Sequence, residues 1–431
     1  MKFLFSTVIW GKDYVDQFLK WSLPTQLAWG NLADFPWADT SAYMIMTTEE
    51  DQKRLQAAPL MRRLSRIMKV IYCNIDNIPR HNKYIGVSMA QLEALKRSSE
   101  YDAIFFIYPD FVCAAGSIQN AAHAIVAGWK AVAFPIPAIL ETIFEDPAIV
   151  GSDVVTSTID GDVISIPPRL LVDASMRNCH PMISSYFVGG DKSSIGPAYM
   201  MWDVPEEEGW LLRCFHLHPF VIRVNPEDPF FLVDFNVSVD EEFVPRYFKS
   251  TDGIHFPSES DEFAMCSIRQ PDSPPQPIEG PVRLENIVRW AEESASLVHR
   301  DFVLQPYRWA PKSTLPAEAV LNWCKAEERS KAYVEIVRKR LNVPDSVLEY
   351  EDPIGYAARM KRQKRFQHWR SPDFHQFVLP LPSNEIEEIH FPKFSLFAAL
   401  IVFKNATGLY RLRKYSILRR LWARLQMMLE S

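Results

Sequence analysis

The stretch FFIYPDFVCAAGS, residues 105–117, joins a buried-strand pattern to a single acidic residue. Residues 102–108, DAIFFIY, are almost entirely apolar. Such a run predicts a strand that is covered by other parts of the protein on both of its faces. The run ends at Pro109-Asp110, after which small residues and a glycine lead into a helical pattern. The sequence therefore raises the question of what a lone carboxylate does at the end of a buried strand.

Strand and helix patterns alternate through the first third of the chain. Apolar runs that predict strands occur at residues 3–10, 42–48, 66–75, 102–108 and 130–136, and amphipathic patterns that predict helices occur at residues 13–29, 88–98 and 116–128. Asp13 and Ser88 are the expected caps of the first two of these helices, and Pro24 should bend the first. A threonine cap followed by carboxylates, in TTEEDQKRL, predicts the start of one more helix. This order predicts an α/β fold with a GT-A- or Rossmann-like, mainly parallel sheet flanked by helices, followed by a mostly helical C-terminal region.

Four polar residues lie at or near the predicted strand ends: Thr7, Thr47, Asn74 and Asp110. Ligands of open parallel sheets bind outside the carboxyl ends of the strands. We therefore expect the strand to present Asp110 to a crevice. The alternative is that Asp110 only caps the turn before the next helix.

Composition restricts the class of protein. The 431 residues suggest two or three domains, and the net charge of -6 gives no reason to expect nucleic acid as a partner. The six cysteines are scattered without a CxxC pair, which is typical of reduced thiols in a cytoplasmic protein. The first residues, MKFLFSTVIWGKD, favour a buried strand over a secretory signal.

The acidic turn YPDFV resembles the metal motif of the GT-A glycosyltransferases, the nucleotide-diphospho-sugar transferase superfamily. The usual motif is Asp-X-Asp, whereas this chain has one Asp. The resemblance covers about residues 1–245 and is one of order and pattern. It implies a bacterial-type glycosyltransferase with a nucleotide-sugar donor, a glycan or lipid-linked acceptor, and a Mn²⁺ or Mg²⁺ ion held by Asp110.

The same resemblance implies a nucleotide-binding set. Thr7, Val8 and Trp10 would lie near the base and ribose, Thr47 would lie at the second strand end, and Lys83 would meet phosphate, as Asp110 would through its metal ion. Lysine suits contact with phosphate because its ammonium group is a compact positive charge.

Histidines and later carboxylates complete the predicted site. His216 and His218 alternate in CFHLHPF, so a strand would point both to one face. The resemblance implies that one of them joins Asp110 at the metal or contacts the diphosphate. Asp234, with Asp240 second, is expected to act as the general base on an acceptor hydroxyl in an inverting transfer.

Two other classes of protein stay open. A metal-dependent hydrolase would use His180, His216, His218 and Asp234. A binding protein without catalytic activity would keep the α/β core and dock through its tail on a membrane or a partner.

Pattern changes divide the chain into four parts: a catalytic domain at residues 1–248, a linker or surface loop at 249–282, a helical or irregular accessory region at 283–403, and a basic amphipathic helix at 404–431. Between residues 404 and 426 there are seven basic residues and no acidic one. A basic amphipathic helix with tryptophan and leucine is typical of interfacial membrane binding. We expect residues 404–429 to contact an anionic membrane surface, at the inner face of the membrane.

Overall fold

The computed structural model of this chain describes residues 1–78, 83–194, 196–205, 209–224, 248, 250–312 and 317–341. The predicted bases Asp234 and Asp240 lie outside the described residues, and so does the predicted basic helix at 404–431. Residues 1–352 form one compact unit, and all described residues belong to it.

The strands of the described residues are β1 (Phe3–Val8), β2 (Ala42–Thr47), β3 (Lys69–Asn74), β4 (Ala103–Ile107), β5 (Phe111–Cys113), β6 (Ala131–Phe134), β7 (Ala138–Ile139), β8 (Val155–Thr158), β9 (Gly161–Ile164), β10 (Lys192–Ser193), β11 (Tyr199–Val204), β12 (Gly209–Cys214), β13 (His218–Arg223), β14 (Ile254–His255), β15 (Met265–Ile268), β16 (Ile278–Glu279) and β17 (Tyr307–Trp309).

The helices are α1 (Lys12–Gln17), α2 (Leu23–Gln26), α3 (Glu49–Ala57), α4 (Pro59–Ile67), α5 (Lys83–Arg97), α6 (Ser117–Val126), α7 (Pro147–Val150), α8 (Pro168–Arg177), α9 (Leu284–Ser294), α10 (Leu297–Phe302) and α11 (Ala317–Leu341). A π-helical turn at Phe18–Ser22 joins α1 to α2, and 3-10 turns lie at Ala38–Thr40, Ser98–Glu100, Glu141–Glu145 and Pro181–Tyr186.

The central sheet has seven strands in the order β14-β6-β13-β4-β1-β2-β3. Strands β1 to β4 pair in parallel, β14 pairs in parallel with β6, and β13 is antiparallel to both of its neighbours. All five residues of β4 are buried, as its apolar sequence predicts for a central strand with both faces covered. The prediction of a mainly parallel sheet flanked by helices is therefore confirmed.

An aromatic cluster fills one face of this sheet. Phe5 on β1 stacks on Phe105 of β4, with ring centroids 4.6 Å apart, and on Tyr43 of β2, at 6.0 Å. Phe35, from the segment between α2 and β2, meets Phe5 edge-on at 5.2 Å. Fully burying one such side chain stabilises a fold by roughly 1.5–3 kcal/mol, so this cluster stabilises the packing on this face of β1, β2 and β4.

A second, smaller sheet is formed by β5, β15 and β7, of which β5 follows directly after β4 in the chain. Strand β5 pairs antiparallel with β15, and β15 pairs in parallel with β7. All four residues of β15 are buried. The expectation of a linker or surface loop at residues 249–282 is therefore wrong for this part, because the proline-rich sequence PDSPPQP that suggested it begins only at residue 271.

A second core forms around β11, β12 and β17, which make an antiparallel sheet. Helices α9 and α11 pack on it through Ile287, Ala291, Trp323 and Val334, which are all buried with Leu211 of β12. Residues predicted to belong to an accessory region thus share a core with residues 199–215. The described part of the predicted C-terminal region, residues 283–341, is mainly helical, as expected.

Candidate functional site

The candidate site lies at the edge of the sheet where β1 to β4 end. Strand β13 runs the other way, so its first residue, His218, lies at the same edge and pairs with Phe134, the last residue of β6. Asp110 comes three residues after the end of β4, in a tight turn in which the Phe111 amide donates to the Tyr108 carbonyl at 3.2 Å. The topology therefore brings Asp110 and His218 to one edge, although they are far apart in sequence.

Asp110 is held by residues of β15. The Ser267 hydroxyl donates to Asp110 Oδ2 at 2.6 Å, and the Ile268 amide donates to the Asp110 carbonyl at 2.9 Å. The helix that follows, α6, has Gly116 as its N-cap and receives no side-chain cap. Asp110 therefore does not cap this helix, and the alternative that it only caps the turn before the helix stays open.

The electrostatic surroundings of Asp110 are mixed. Burial raises the pKa of its carboxyl group, because desolvation disfavours the charged form. The Ser267 hydrogen bond opposes this rise, as do the positive charge of Arg269 and, more weakly, His218. The site thus places one carboxylate close to one permanent cation, and the carboxylate gains less from its partners than it loses by leaving water.

His218 is buried and fixed in one orientation. Its Nε2 lies 2.8 Å from the Phe106 carbonyl oxygen, which can only accept a hydrogen bond, so the proton of the neutral ring is on Nε2. The Tyr108 and Phe111 rings pack against it at 5.2 Å and 5.1 Å. This tautomer leaves Nδ1 as the unprotonated nitrogen, the form in which histidine binds a metal or accepts a proton.

His216 does not join this site. Its Nε2 contacts the Ser294 carbonyl at 3.2 Å, and its ring packs on His299 at 4.5 Å and on Trp290 at 5.2 Å. Strand β12 ends before it and β13 begins only at His218, so the chain passes from one sheet to the other between the two histidines. The prediction that both point to one face fails because it assumed one continuous strand.

His180 serves the local fold. Its Nδ1 accepts a hydrogen bond from the Met182 amide at 3.2 Å, which caps the 3-10 turn, and its Nε2 lies 2.9 Å from the Gln270 carbonyl. No three His, Cys, Asp or Glu side chains gather to hold a metal anywhere in the described part of the chain. The described histidines therefore do not form the cluster that the hydrolase alternative requires.

A single carboxylate can still suit Mn²⁺ or Mg²⁺. Mg²⁺ is usually bound by one or two carboxylates together with substrate phosphates and water, and Mn²⁺ also accepts imidazole nitrogen. Asp110 supplies a hard oxygen ligand, and His218 lies at the same edge of the sheet. These residues fit a cation whose shell a bound diphosphate would complete.

The predicted nucleotide residues differ in exposure. Thr7, Val8 and Thr47 are buried, and the hydroxyls of the two threonines have no hydrogen-bond partner within the described ranges. Trp10 is half-buried and Lys83 is exposed. Of these five residues, only Trp10 and Lys83 therefore have substantial exposed surface. Buried hydroxyls without partners, like those of Thr7 and Thr47, are exceptional in folded proteins.

The loop after β1 is held by a residue that the sequence analysis missed. Asp51 accepts a hydrogen bond from the Gly11 amide at 2.7 Å and another from the Thr48 hydroxyl at 2.9 Å. Thr48 in turn caps α3 by accepting from the Asp51 amide, as the sequence predicted for a threonine before this helix. Together these bonds fix the position of Trp10 beside the carboxyl end of β1.

Ser267 and Arg269 are the other residues that sequence reasoning missed. Both come from SIRQPDSPPQP, which carries no motif, and they reach Asp110 only because β15 pairs with β5. The one available signal in the sequence was the short run MCSI directly before the arginine, which the structure buries as β15.

The fold and this edge define a mixed α/β protein with a mostly parallel central sheet flanked by helices. No protein-family model and no curated protein matches the chain. Among solved structures, it is similar to the crystal structure of S. aureus TarS, with 12% identity and a TM-score of 0.24. The match covers 40% of this chain and 38% of that one, and a likeness this distant carries no weight for function.

None of the helices in the described ranges is both long enough and apolar enough to span a membrane.

Proposed function

We propose that this protein is a glycosyltransferase that moves a sugar from a nucleotide-diphosphate donor to a glycan or lipid-linked acceptor. The observation that supports this most is the half-buried carboxylate of Asp110 at the carboxyl edge of a mainly parallel sheet, held by Ser267 and accompanied by His218. A carboxylate that loses free energy by burial is typical of a functional site.

The proposed roles follow from position and chemistry. Asp110 and His218 would hold Mn²⁺ or Mg²⁺, which when bound would neutralise charge on the diphosphate. Trp10, at the end of β1, would contact the base or ribose, and the exposed Lys83 would contact phosphate. The buried Thr7, Val8 and Thr47 would support this wall of the site from beneath.

The transfer breaks the bond between the anomeric carbon and the diphosphate oxygen and forms a bond to the acceptor oxygen. A general base takes the proton of the acceptor hydroxyl as that bond forms. Asp234, with Asp240 second, stays the prediction for this base.

A thermal-shift screen tests the proposal. The wild-type protein would be heated with nucleoside diphosphates and nucleotide sugars, each with Mn²⁺, with Mg²⁺ or with chelator. A ligand that binds only the folded state stabilises it by about 2.7 kcal/mol at a hundredfold excess over Kd. We expect a shift with at least one nucleotide, lost in Asp110→Asn and kept in Asp153→Asn, which changes an exposed aspartate.

The other outcomes separate the alternatives. Stoichiometric zinc or iron in the purified protein with no response to nucleotides would favour the hydrolase. No response to any nucleotide, together with biological function that survives Asp110→Asn and is lost on deletion of the tail, would favour the binding protein.

We further propose that residues 404–429 hold the enzyme at an anionic membrane surface on the cytoplasmic side. The support is the seven basic and no acidic residues between positions 404 and 426. At about 1 kcal/mol for each basic residue near anionic lipid, such a segment binds reversibly. The full chain should float with phosphatidylserine vesicles at low salt and be released at high salt. Absence of flotation at both salt concentrations would contradict the proposal.

A further inference from the structure

Arg269 follows β15 and is placed by backbone pairing. Its amide donates to the Ile139 carbonyl at 2.8 Å, and the residue before it, Ile268, donates to the Asp110 carbonyl at 2.9 Å. The start of its side chain is therefore fixed relative to the Asp110 turn. Because both anchors are backbone hydrogen bonds within the small sheet, this placement does not depend on which side chain stands at position 269.

The residues on either side of Arg269 contact the Asp110 turn and His180: the Ile268 amide donates to the Asp110 carbonyl at 2.9 Å, and the Gln270 carbonyl lies 2.9 Å from His180 Nε2. The positive charge of Arg269 lowers the pKa of Asp110, of His180 and of Tyr186. His180 does not add a second charge, because burial lowers its pKa and keeps the ring neutral at pH 7. Arg269 is therefore the permanent cation of this neighbourhood.

Arg269 uses few of its hydrogen-bond donors. An arginine side chain has five N–H groups, and the bond from this one to a described residue is a long one, from Nη1 to the Pro274 carbonyl at 3.4 Å. It forms no ion pair with a carboxylate of the described residues, although Asp110 is near. By contrast, the buried Arg300 donates to three backbone carbonyls, and the half-buried Arg308 pairs with Glu327.

We propose that Arg269 binds the diphosphate group of the donor directly, next to the Asp110 turn. This inference rests on the proposed function. A planar guanidinium group with unused donors matches two phosphate oxygens at once, which a lysine ammonium cannot do. A diphosphate that approached Asp110 alone would be repelled by the carboxylate, and Arg269 provides a fixed positive charge that offsets this repulsion.

Calorimetry with matched variants tests the inference. The probe is whichever of UDP, GDP, CDP, ADP and dTDP gives the largest thermal shift with the wild-type protein, together with the nucleoside that lacks its phosphates. We expect Arg269→Gln to weaken binding of the diphosphate about 10- to 100-fold, the loss of hydrogen bonds to a charged group, and to leave the nucleoside affinity unchanged. Arg269→Lys should give an intermediate loss, because it keeps the charge without the paired donors.

Arg289→Gln is the control. Arg289 is exposed on α9 and, like Arg269, donates at 3.4 Å, to Asn286. Its loss should change neither affinity. Wild-type affinity of Arg269→Gln for the diphosphate would overturn this inference alone, and so would an equal loss for nucleoside and diphosphate. Failure of the wild-type protein to bind any nucleoside diphosphate would overturn the proposed function and this inference with it.

Discussion

Replacing Asp110 by asparagine should stabilise the folded protein at neutral pH, although it removes the carboxylate that is proposed to hold the cation. Burial raises the pKa of the Asp110 carboxyl above the ordinary value of 3.8, so the folded state binds a proton more tightly than the unfolded state. The contribution of Asp110 to stability is therefore fully present below pH 3.8 and is lost as the pH rises through the raised pKa. Asparagine has no charge to desolvate and keeps an oxygen that accepts the Ser267 hydroxyl.

The size of the effect follows from the linkage. Each unit by which folding raises the pKa corresponds to about 1.36 kcal/mol of stability lost once the carboxyl is ionised. An unfolding entropy of about 2.1 cal/mol/K per residue over the unit at Met1–Asp352 converts this into a Tm change of roughly 2 °C for each unit. Asp110→Asn should therefore raise the Tm at pH 7 by roughly 2 °C for each unit by which folding raises the pKa, and it should not change the Tm at pH 3.8 or below.

Asp146 provides the control of opposite sign. It is 5% exposed and accepts hydrogen bonds from the Arg177 guanidinium at 2.9 Å and 3.0 Å, which hold the pKa of its carboxyl below the ordinary value. Its contribution is present above pH 3.8 and is lost as the pH falls through the lowered pKa. Asp146→Asn should cost about 1.5 kcal/mol at pH 7, the low end for a charged hydrogen bond, because Arg177 is half-exposed.

The assay is thermal unfolding of the three proteins between pH 4 and pH 8 at one scan rate and one ionic strength. The Tm of Asp110→Asn minus that of the wild type should grow more positive with rising pH, while the difference for Asp146→Asn should be negative from pH 5 to pH 8. A lower Tm for Asp110→Asn at pH 7, or a difference that does not vary with pH, would show that burial does not disfavour this carboxylate.

Two further substitutions test the packing of the core. Gly209→Ala should prevent folding or lower the Tm severely, because Gly209 has φ +131° and an added Cβ would lie 2.1 Å from the Trp309 carbonyl oxygen. Gly189→Ala, at φ +87° with open space around it, should cost only the backbone strain of about 1 kcal/mol. Circular dichroism and Tm compare the two variants, and similar losses in both would contradict this reasoning. Tyr43→Phe should cost about 0.5–1.5 kcal/mol in denaturant unfolding, because the buried Tyr43 hydroxyl donates to Gln26 Oε1 at 2.7 Å, and an unchanged midpoint would mean that water or another group satisfies Gln26 equally well.

Local patterns were sufficient where one segment decides its own structure. The apolar runs at residues 3–10, 42–48 and 102–108 predicted β1, β2 and β4, since an uninterrupted apolar strand has few alternatives to a buried sheet position. The predicted disturbance at Pro24 is also present: α2 begins one residue earlier, and a π-helical turn precedes it. Proline has no amide hydrogen, so it is accepted at the start of a new helix and disrupts the interior of an old one.

Helix ends were predicted less well. The sequence favoured Asp13 as the cap of the first helix, but Gly11 is the N-cap and no side chain caps it. It favoured Ser88 as the start of α5, which begins at Lys83. A polar residue before an apolar pattern marks a possible start, and tertiary packing decides how many further residues the helix takes.

The arrangement of strands could not be obtained from local patterns. Whether β13 enters the central sheet between β4 and β6, and in which direction, depends on pairings across more than 80 residues of sequence. The same holds for β15, whose pairing with β5 brings Ser267 to Phe111. The errors at His216 and at residues 249–282 share this cause, because each assigned a role from sequence neighbours that the fold separates.

The surroundings of Asp110 differ from those of a carboxylate that caps a helix or forms an ion pair. A carboxylate that caps a helix or forms an ion pair is stabilised by its partner, and its pKa falls, as that of Asp146 does. Asp110 caps no helix, forms no ion pair with a described residue, and has its pKa raised. A turn alone would tolerate asparagine or serine at lower cost. The paired strands β5 and β15 hold Asp110 at the edge where the parallel strands end. Arg269, which directly follows β15, makes one long hydrogen bond with its side chain, to the Pro274 carbonyl. Under the proposed function, a bound cation and diphosphate would account for this charge, and the paired substitutions of Asp110 and Arg269 test that role.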